Sequence, residues 1–359
     1  MAKNVKTNQC IQCKKMVCRT NPSYGNDIAI DMGSSNTIVS TRDLILINEP
    51  SLVAYNKIDQ KVIAVGRKAL EMYEKCTPEI EIIHPIIDGA ITDNEMAEYL
   101  LKGLLKPLHF HSHLFAHRRR MVFCIPFGIN RVERKAALEC AKSIGAKKVK
   151  MIPAPLAIAL GANIDIMQPS GYIIVNIGAG RTEIAAISFG EIIKCTSIKS
   201  SAGNVFNEKI VTHMQMHHNL KIGIRTAEEM KVLFGAAVEN ELENALEETP
   251  FVGKDLLTGL GKAQTIGFND IAHALDNSIK IIEQAIVDMI ASLPPEIIAD
   301  IYRNGIYLAG GGASLRGLTK RISERTKTDV HVIDDPSNAA IKGARIALEK
   351  FDDFRFFIK

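Results

Sequence analysis

Apolar residues along this chain gather in short runs that end at turns, and these runs alternate with stretches of helical period. The first run, Ile28-Ala29-Ile30, enters the turn Asp31-Met32-Gly33-Ser34-Ser35-Asn36-Thr37. Short strands are expected at Ile28–Met32, Ile38-Val39, Leu44–Ile47 and Leu52–Tyr55. A helix is expected over Asn94–Leu105, then a strand over Met121–Ile125 that Pro126 ends. The next helix is marked at both ends. Asn130 is its N-cap, Glu133 follows three residues on, and Gly145 sits just past its end. Its apolar positions Val132, Ala136, Cys140 and Ile144 repeat every four residues, which places one face on a sheet. Pro155 starts a further helix through Leu156–Leu160.

The strand–turn–strand pattern then recurs at Tyr172–Ile177, Glu183–Ser188 and Ile192–Ser197. Its turn is Asn176-Ile177-Gly178-Ala179-Gly180-Arg181-Thr182-Glu183, and Gly178 stands 145 positions after Gly33. Helices are expected at 204–218 and 226–235, a loop at Thr258-Gly259-Leu260-Gly261, and a long helix over 270–291 broken by Pro294-Pro295. The chain closes with strand 306–309, helix 315–327, strand 330–333 and helix 337–350. A third glycine turn, Gly310-Gly311-Gly312, follows Ile306-Tyr307-Leu308-Ala309. Alternating strands and helices in both halves imply an α/β fold with mixed sheets. At 359 residues the chain exceeds one ordinary core, so two domains are expected. Glycine turns let backbone N–H groups approach phosphate oxygens closely. Two such turns facing each other would clamp the phosphates of a nucleotide between the domains.

Composition narrows the class. With 47% hydrophobic and 23% charged residues the chain is an ordinary globular sequence. The 44 basic and 40 acidic residues leave only +4, too little to point to nucleic acid. The basic excess is local: Lys3, Lys6, Lys14, Lys15 and Arg19 occupy residues 1–26 without an acid, and Arg118-Arg119-Arg120 form a second cluster. Residues 1–26 are read as a mobile basic tail. The start of the chain is polar and no run of 18 apolar residues occurs, so neither a signal peptide nor a membrane span is expected. The seven cysteines are then read as reduced thiols in a cytoplasm, with Cys124 and Cys140 in the core. Cys10, Cys13 and Cys18 offer half a zinc site, and no second pair follows at the usual spacing. His213 and His217 share one helix face beside His218, a geometry that binds zinc, but the sequence shows no third ligand. A surface or inter-subunit role is expected for them.

Together these segments resemble the actin and heat-shock-70 ATPase fold, and within it the MreB-like bacterial actins. Similar runs extend from Ile28 to Leu348 and include Ile47-Asn48-Glu49-Pro50-Ser51, His84-Pro85-Ile86-Ile87-Asp88-Gly89 and Arg131-Val132-Glu133-Arg134-Lys135. Gly310-Gly311-Gly312-Ala313-Ser314-Leu315-Arg316-Gly317-Leu318 is similar to the family's adenosine turn. The resemblance implies duplicated ribonuclease-H-like domains, two lobes and four subdomains around a nucleotide cleft. Subdomain IA would comprise 27–54, 97–165 and 338–359, IB 55–96, IIA 166–204 and 270–337, and IIB 205–269. It further implies ATP or ADP with Mg²⁺ in the cleft, and self-assembly into filaments. By resemblance, Asp31 orients water around the metal, and Gly33, Ser34, Ser35, Asn36 and Thr37 lie on the phosphates. Gly178, Ala179, Gly180, Arg181 and Thr182 belong to the second phosphate loop, and Gly203 is a further nucleotide-binding position. Gly310, Gly311 and Gly312 back the adenosine, and Glu228 and Lys231 line its base and ribose side.

The departures from the family pattern concern catalysis. The second loop of the family reads D-I-G-G-G-T-T-E; here the acid is Asn176 and the first Thr is Arg181. The family's L-I-E-E-P run is Met151-Ile152-Pro153-Ala154-Pro155, so Ala154 stands where a glutamate acts on the attacking water. Phosphoryl transfer to water needs a positioned nucleophile and neutralised charge. Hydrolysis is therefore expected to be weak or lost, with Asp31 alone among the metal-orienting acids. Arg181 either pairs with phosphate oxygens or points to solvent.

In some MreB proteins the loop at 109–120 carries an apolar pair that dips into the membrane, and Leu114-Phe115 occupies that place here. Neighbouring basic residues would favour anionic headgroups by about 1 kcal/mol each. The alternative is that this pair completes a local core. The four histidines between 109 and 117 read as a metal site or as solvated loop residues. The sequence thus leads to a cytoskeletal, actin-like filament protein at the cytoplasmic face of the membrane, supporting cell shape or motility. The alternatives are an active sugar-kinase or chaperone-type ATPase, and a nucleotide-independent actin that copolymerises with an active paralogue.

Overall fold

A computed structural model of the chain describes residues 27–108, 119–239, 248–352 and 357. Its frame is one sheet design used twice. In the first half β1 (Ile28–Met32), β2 (Asn36–Ser40) and β3 (Ile45–Pro50) form an antiparallel meander. A smaller layer follows, with β4 (Val53–Asn56), β5 (Lys61–Val65) and β6 (Ile80–Ile83) in one sheet and β7 (Ile86–Ile87) paired with β8 (Ala90–Ile91). Parallel strands β9 (Arg120–Ile125) and β10 (Lys148–Pro153) then extend the first sheet beside β1, giving the order β10-β9-β1-β2-β3.

The second half repeats this. β11 (Tyr172–Ile177), β12 (Thr182–Ser188) and β13 (Glu191–Ile198) are the meander. β14 (Leu220–Lys221), β15 (Thr249–Asp255) and β16 (Gly261–Ile266) form a small sheet, and the parallel strands β17 (Ile306–Ala309) and β18 (Val330–Val332) complete the order β13-β12-β11-β17-β18. The two orders correspond strand for strand, so the two glycine turns occupy equivalent β1–β2 and β11–β12 positions. The sequence expectation of a duplicated α/β fold holds.

Two helices form the seam between the sheets: Ala154–Gly161 and Ala339–Glu349. Both are rich in alanine and glycine, so their backbones meet closely. A Cβ on Gly343 would fall on the Ala157 carbonyl, and a Cβ on Gly161 on the Ala339 carbonyl. Around this pair a single apolar core joins Ala29, Val122 and Ile152 of the first sheet to Ile174, Ala185 and Ala309 of the second. Each sheet also has a separate core on its other face.

Most expected elements are present within a residue or two. The Asn130 cap forms in full: its side chain accepts from the Val132 and Glu133 N–H groups while Glu133 accepts from the Asn130 N–H. Val132 departs from expectation, being 75% exposed in the first turn, and the buried face runs through Ala136, Ala137, Cys140 and Ala141. Pro294-Pro295 does more than break a helix, since Pro295 starts a new one, Pro295–Asn304. The loop at 258–261 is the turn of the β15–β16 hairpin. The helix expected from 315 begins at Leu318, because Gly311–Ser314 winds as a 3₁₀ turn and Gly317 takes φ 74°. No helix among the described residues is long and apolar enough to cross a membrane. The tail cysteines, His109–His117, Leu114 and Phe115 lie outside the described residues.

Candidate functional site

The two equivalent turns have the same internal geometry. The Gly33 N–H donates to the Asn36 carbonyl at 2.9 Å, and the Gly178 N–H donates to the Arg181 carbonyl at 3.0 Å. A Cβ at either glycine would stand 3.0 Å from the carbonyl oxygen it bonds. Glycine therefore lets the turn close this tightly, where a side chain would crowd the carbonyl. Both turns edge a cavity of about 550 Å³ between the sheets. Behind the second turn the Gly203–His218 helix begins, its Gly203 and Asn204 N–H groups donating to the Gly178 and Ala179 carbonyls.

The lobes touch across this cavity. Ser34 Oγ accepts from the Gly89 N–H at 2.8 Å, and Gly180 lies against both Ser34 and Asp88. Arg181 Nε donates to the Asp88 carbonyl. Lys199 pairs with the Asp88 carboxylate at 3.1 Å. At the rim the Glu74 carboxylate accepts from the Ile224 N–H at 3.1 Å, at the start of the Ile224–Phe234 helix. From sequence, Arg181 is expected either to pair with phosphate oxygens or to point to solvent; here it also bridges the lobes. Its Nε is committed to a backbone carbonyl of the opposite lobe, while the residue still lines the cavity.

Two carboxyl groups face the cavity floor. Asp31, on β1, is pushed up to about 7, first by burial and then by the charge of Glu183. Glu183 is 2% exposed and is also raised by burial, opposed by the Phe127 N–H at 2.9 Å, by Arg181 and by Asn176. Sequence reasoning left Asp31 as the lone acid here; the packing of the two sheets brings Glu183, on β12, beside it as a second. Two buried acids that disfavour each other's charge gain when a hard divalent cation lies near them. These residues therefore fit Mg²⁺; Asp31 and Glu183 would be its protein-side carboxylates.

A pH dependence follows. A folded carboxyl raised from its ordinary value near 3.8 to about 7 contributes stability that is full below 3.8 and is lost progressively as pH rises from there through 7. In chelator, Asp31→Asn should raise the melting midpoint much more near pH 8 than near pH 5, where the folded carboxyl is still protonated and only the unfolded one is ionised. An equal shift at both pH values would contradict the buried-acid account.

The remaining wall is glycine-built. Gly310, at φ 78°, would drive a Cβ into the Ile177 carbonyl, and Gly312 into the Ile177 side chain. The Gly310–Gly312 turn therefore sits directly on the end of β11. Opposite it, Lys231 Nζ donates to Glu228 at 2.7 Å and to the Gly203 carbonyl at 3.0 Å. Burial lowers the Lys231 ammonium, and Glu228 works against that.

The cavity wall brings together Asp31, Gly33, Ser34, Ser35, Asn36, Ala154, Asn176, Gly178, Ala179, Gly180, Arg181, Gly203, Glu228, Lys231 and Gly310–Gly312. It does not include Thr37 or Thr182. Both are fully buried behind their turns, Thr37 Oγ1 against Ser51 Oγ at 2.9 Å and Thr182 Oγ1 donating to the Ser201 carbonyl at 2.6 Å. Alternation along β2 and β12 points these hydroxyls away from the cavity, so each supports its turn from the rear.

The family described as MreB/Mbl protein matches residues 25–355 of the chain. The chain belongs to the MreB/Mbl family. It is 36% identical over 330 residues to the cell shape-determining protein Mbl of Bacillus subtilis, covering 92% of this chain and 97% of that relative. Among solved structures it is similar to MreB5 of Spiroplasma citri. The ADP-bound form matches at TM-score 0.85 and 32% identity over 91% of this chain and 98% of that one. The AMPPNP-bound form matches at TM-score 0.83 over 90% and 96%. A MamK double helical filament matches at TM-score 0.73 and 21% identity, over 90% of this chain and 99% of that one, and shows the common actin-like fold.

Proposed function

We propose that this MreB/Mbl-family chain binds ATP or ADP with Mg²⁺ in the cleft, assembles into filaments with copies of itself on the inner face of the cell membrane, and turns ATP over weakly or not at all. The observation that carries the reading is the pair of matched glycine turns facing each other across the cavity, with the Gly310–Gly312 turn closing a third side. The MreB5 structures bound to AMPPNP and ADP support the choice of ligand. Ala154 and Asn176 line the same cavity without an ionisable group, which supports weak hydrolysis. The membrane part rests on the basic residues of 1–26 and on Leu114-Phe115. Paralogous actins of the same family are a second candidate partner in the filament.

A second reading has its own support. Arg181 and Gly180 link the lobes through protein atoms, so the closed arrangement does not depend wholly on a ligand. Assembly should accordingly depend little on turnover. Electron microscopy on anionic liposomes should show filaments that look alike with ATP and with its non-hydrolysable analogue. Filaments that form only during turnover, or that ignore lipid charge, would contradict the proposal.

A further inference from the structure

Away from the cleft, the C-terminal end of the Gly203–His218 helix packs beside the first turns of the Phe268–Ala291 helix. Four imidazoles meet there. His213 and His217 stack with ring centroids 4.4 Å apart. His273, from the second helix, lies edge-on to both, at 5.4 Å from His213 and 5.6 Å from His217. His218 stands 5.8 Å from His213 on the other side. The third ligand absent from the sequence pattern is therefore supplied by His273, more than fifty positions along the chain.

The nitrogens of His213, His217 and His273 lie within 4.8 Å of one another, and so do the ligand atoms of His213, His218 and Asp270. His213 is common to both groups. It is 8% exposed, and its Nε2 is buried with no hydrogen-bond partner. Asp270 Oδ1 is 4.0 Å away, too far for a hydrogen bond. Leaving such a nitrogen unpaired is costly unless something satisfies it.

We propose that His213, His217 and His273 bind one divalent transition-metal ion of the zinc class. Neutral imidazoles suit zinc, nickel, copper or cobalt and are poor ligands for magnesium or calcium. A tetrahedral zinc ion with bonds near 2.0 Å holds its ligand nitrogens about 3.3 Å apart. Binding would require the exposed His217 and His273 rings to turn toward that spacing, and their exposure gives the ion a path in. Carboxylates stand where a metal site needs its outer support. Glu239 Oε1 is 3.5 Å from His273 Nδ1, which leaves Nε2 of that ring for the metal. Asp270 already holds His218 at 3.1 Å, beside the unpartnered Nε2 of His213 that the ion would satisfy. Water fills the fourth position.

Such an ion would staple the two helices that bracket residues 219–267, including the β14–β15–β16 sheet. The first of those helices begins on the second glycine turn. Metal would thereby stiffen the base of that sheet without touching the cleft.

The test uses the full chain without a histidine tag, titrated with Co²⁺ and followed by its visible absorption, then by Zn²⁺ displacement. One equivalent should bind with a nitrogen–oxygen spectrum, and the melting midpoint should rise with metal. His217→Asn and His273→Asn change exposed residues, so the fold should persist, and each should weaken binding at least tenfold. Replacing the four histidines at 109–117 with Asn, or Cys10, Cys13 and Cys18 with Ser, should leave the affinity unchanged. The proposal is overturned if the parent binds no cobalt, if both helix variants bind as the parent does, or if a sulfur-to-cobalt band shows the tail cysteines to be the ligands.

Discussion

Combining Ala154→Glu, Asn176→Asp and Arg181→Thr should raise ATP turnover by about 10²-fold or more over the parent chain, the scale on which a single positioned base acts. Each position lines the cavity, so each new group would stand in it. Ala154 begins the Ala154–Gly161 helix, where a carboxylate is favoured by the helix dipole and needs no new cap. Asn176→Asp adds a third acid near Asp31 and Glu183, so its gain should require Mg²⁺. Arg181→Thr releases the Asp88 carbonyl as well as changing the loop, so this substitution alone should loosen the lobes without restoring turnover. The three effects act on one site and will not add simply. Phosphate release under saturating nucleotide is the measurement. A parent rate already equal to that of the triple variant would show that the missing acids do not limit hydrolysis.

Gly343→Leu should abolish folding. Its Cβ would overlap the Ala157 carbonyl oxygen and lie 2.5 Å from the carbonyl carbon, both main-chain atoms of a helix that cannot step aside. Overpacking of a close-packed site costs roughly 1–3 kcal/mol and more where backbone must move. A typical domain holds only about 5–15 kcal/mol in all. Because the Ala154–Gly161 and Ala339–Glu349 pair anchors the core shared by both sheets, the damage should reach both lobes. Gly261→Ala is the matched control. Nothing lies within 4 Å of its Cβ and its φ is ordinary, so the effect should stay within about 0.5 kcal/mol. Thermal melting of the two variants separates the cases. A Gly343→Leu chain that melts like the parent would mean that the helices do not cross as closely as described.

The duplicated frame was legible because its signals are local. Ile28–Met32 and Tyr172–Ile177 are apolar runs that end in glycine turns, and Asn130 with Glu133 writes a helix start into four residues. The β15–β16 hairpin was not legible. Its strands are largely exposed and hold few apolar residues at their inward positions, so they carry little of the apolar period that marks a strand. Val132 shows a different gap, since spacing every four residues does not tell that the buried face starts only at Ala136. At the site, backbone-built features were readable from glycine alone. Side-chain directions were not: Thr37 and Thr182 sit in the motifs, yet strand alternation turns them behind the loops. Glu183, Asp88 and His273 acquire their neighbours only through tertiary packing. Arg181 meets Asp88, and His273 meets His213, across sequence gaps that no local pattern spans.

The central claim is that the cleft holds a nucleotide through its glycine turns although the groups for hydrolysis are replaced. Calorimetric titration of the full, folded chain with ATP and with its non-hydrolysable analogue, each with Mg²⁺, tests it most directly. The account predicts saturable one-to-one binding of both, with similar affinity. A chain that is folded by its melting curve and shows no heat of binding at millimolar nucleotide would contradict it.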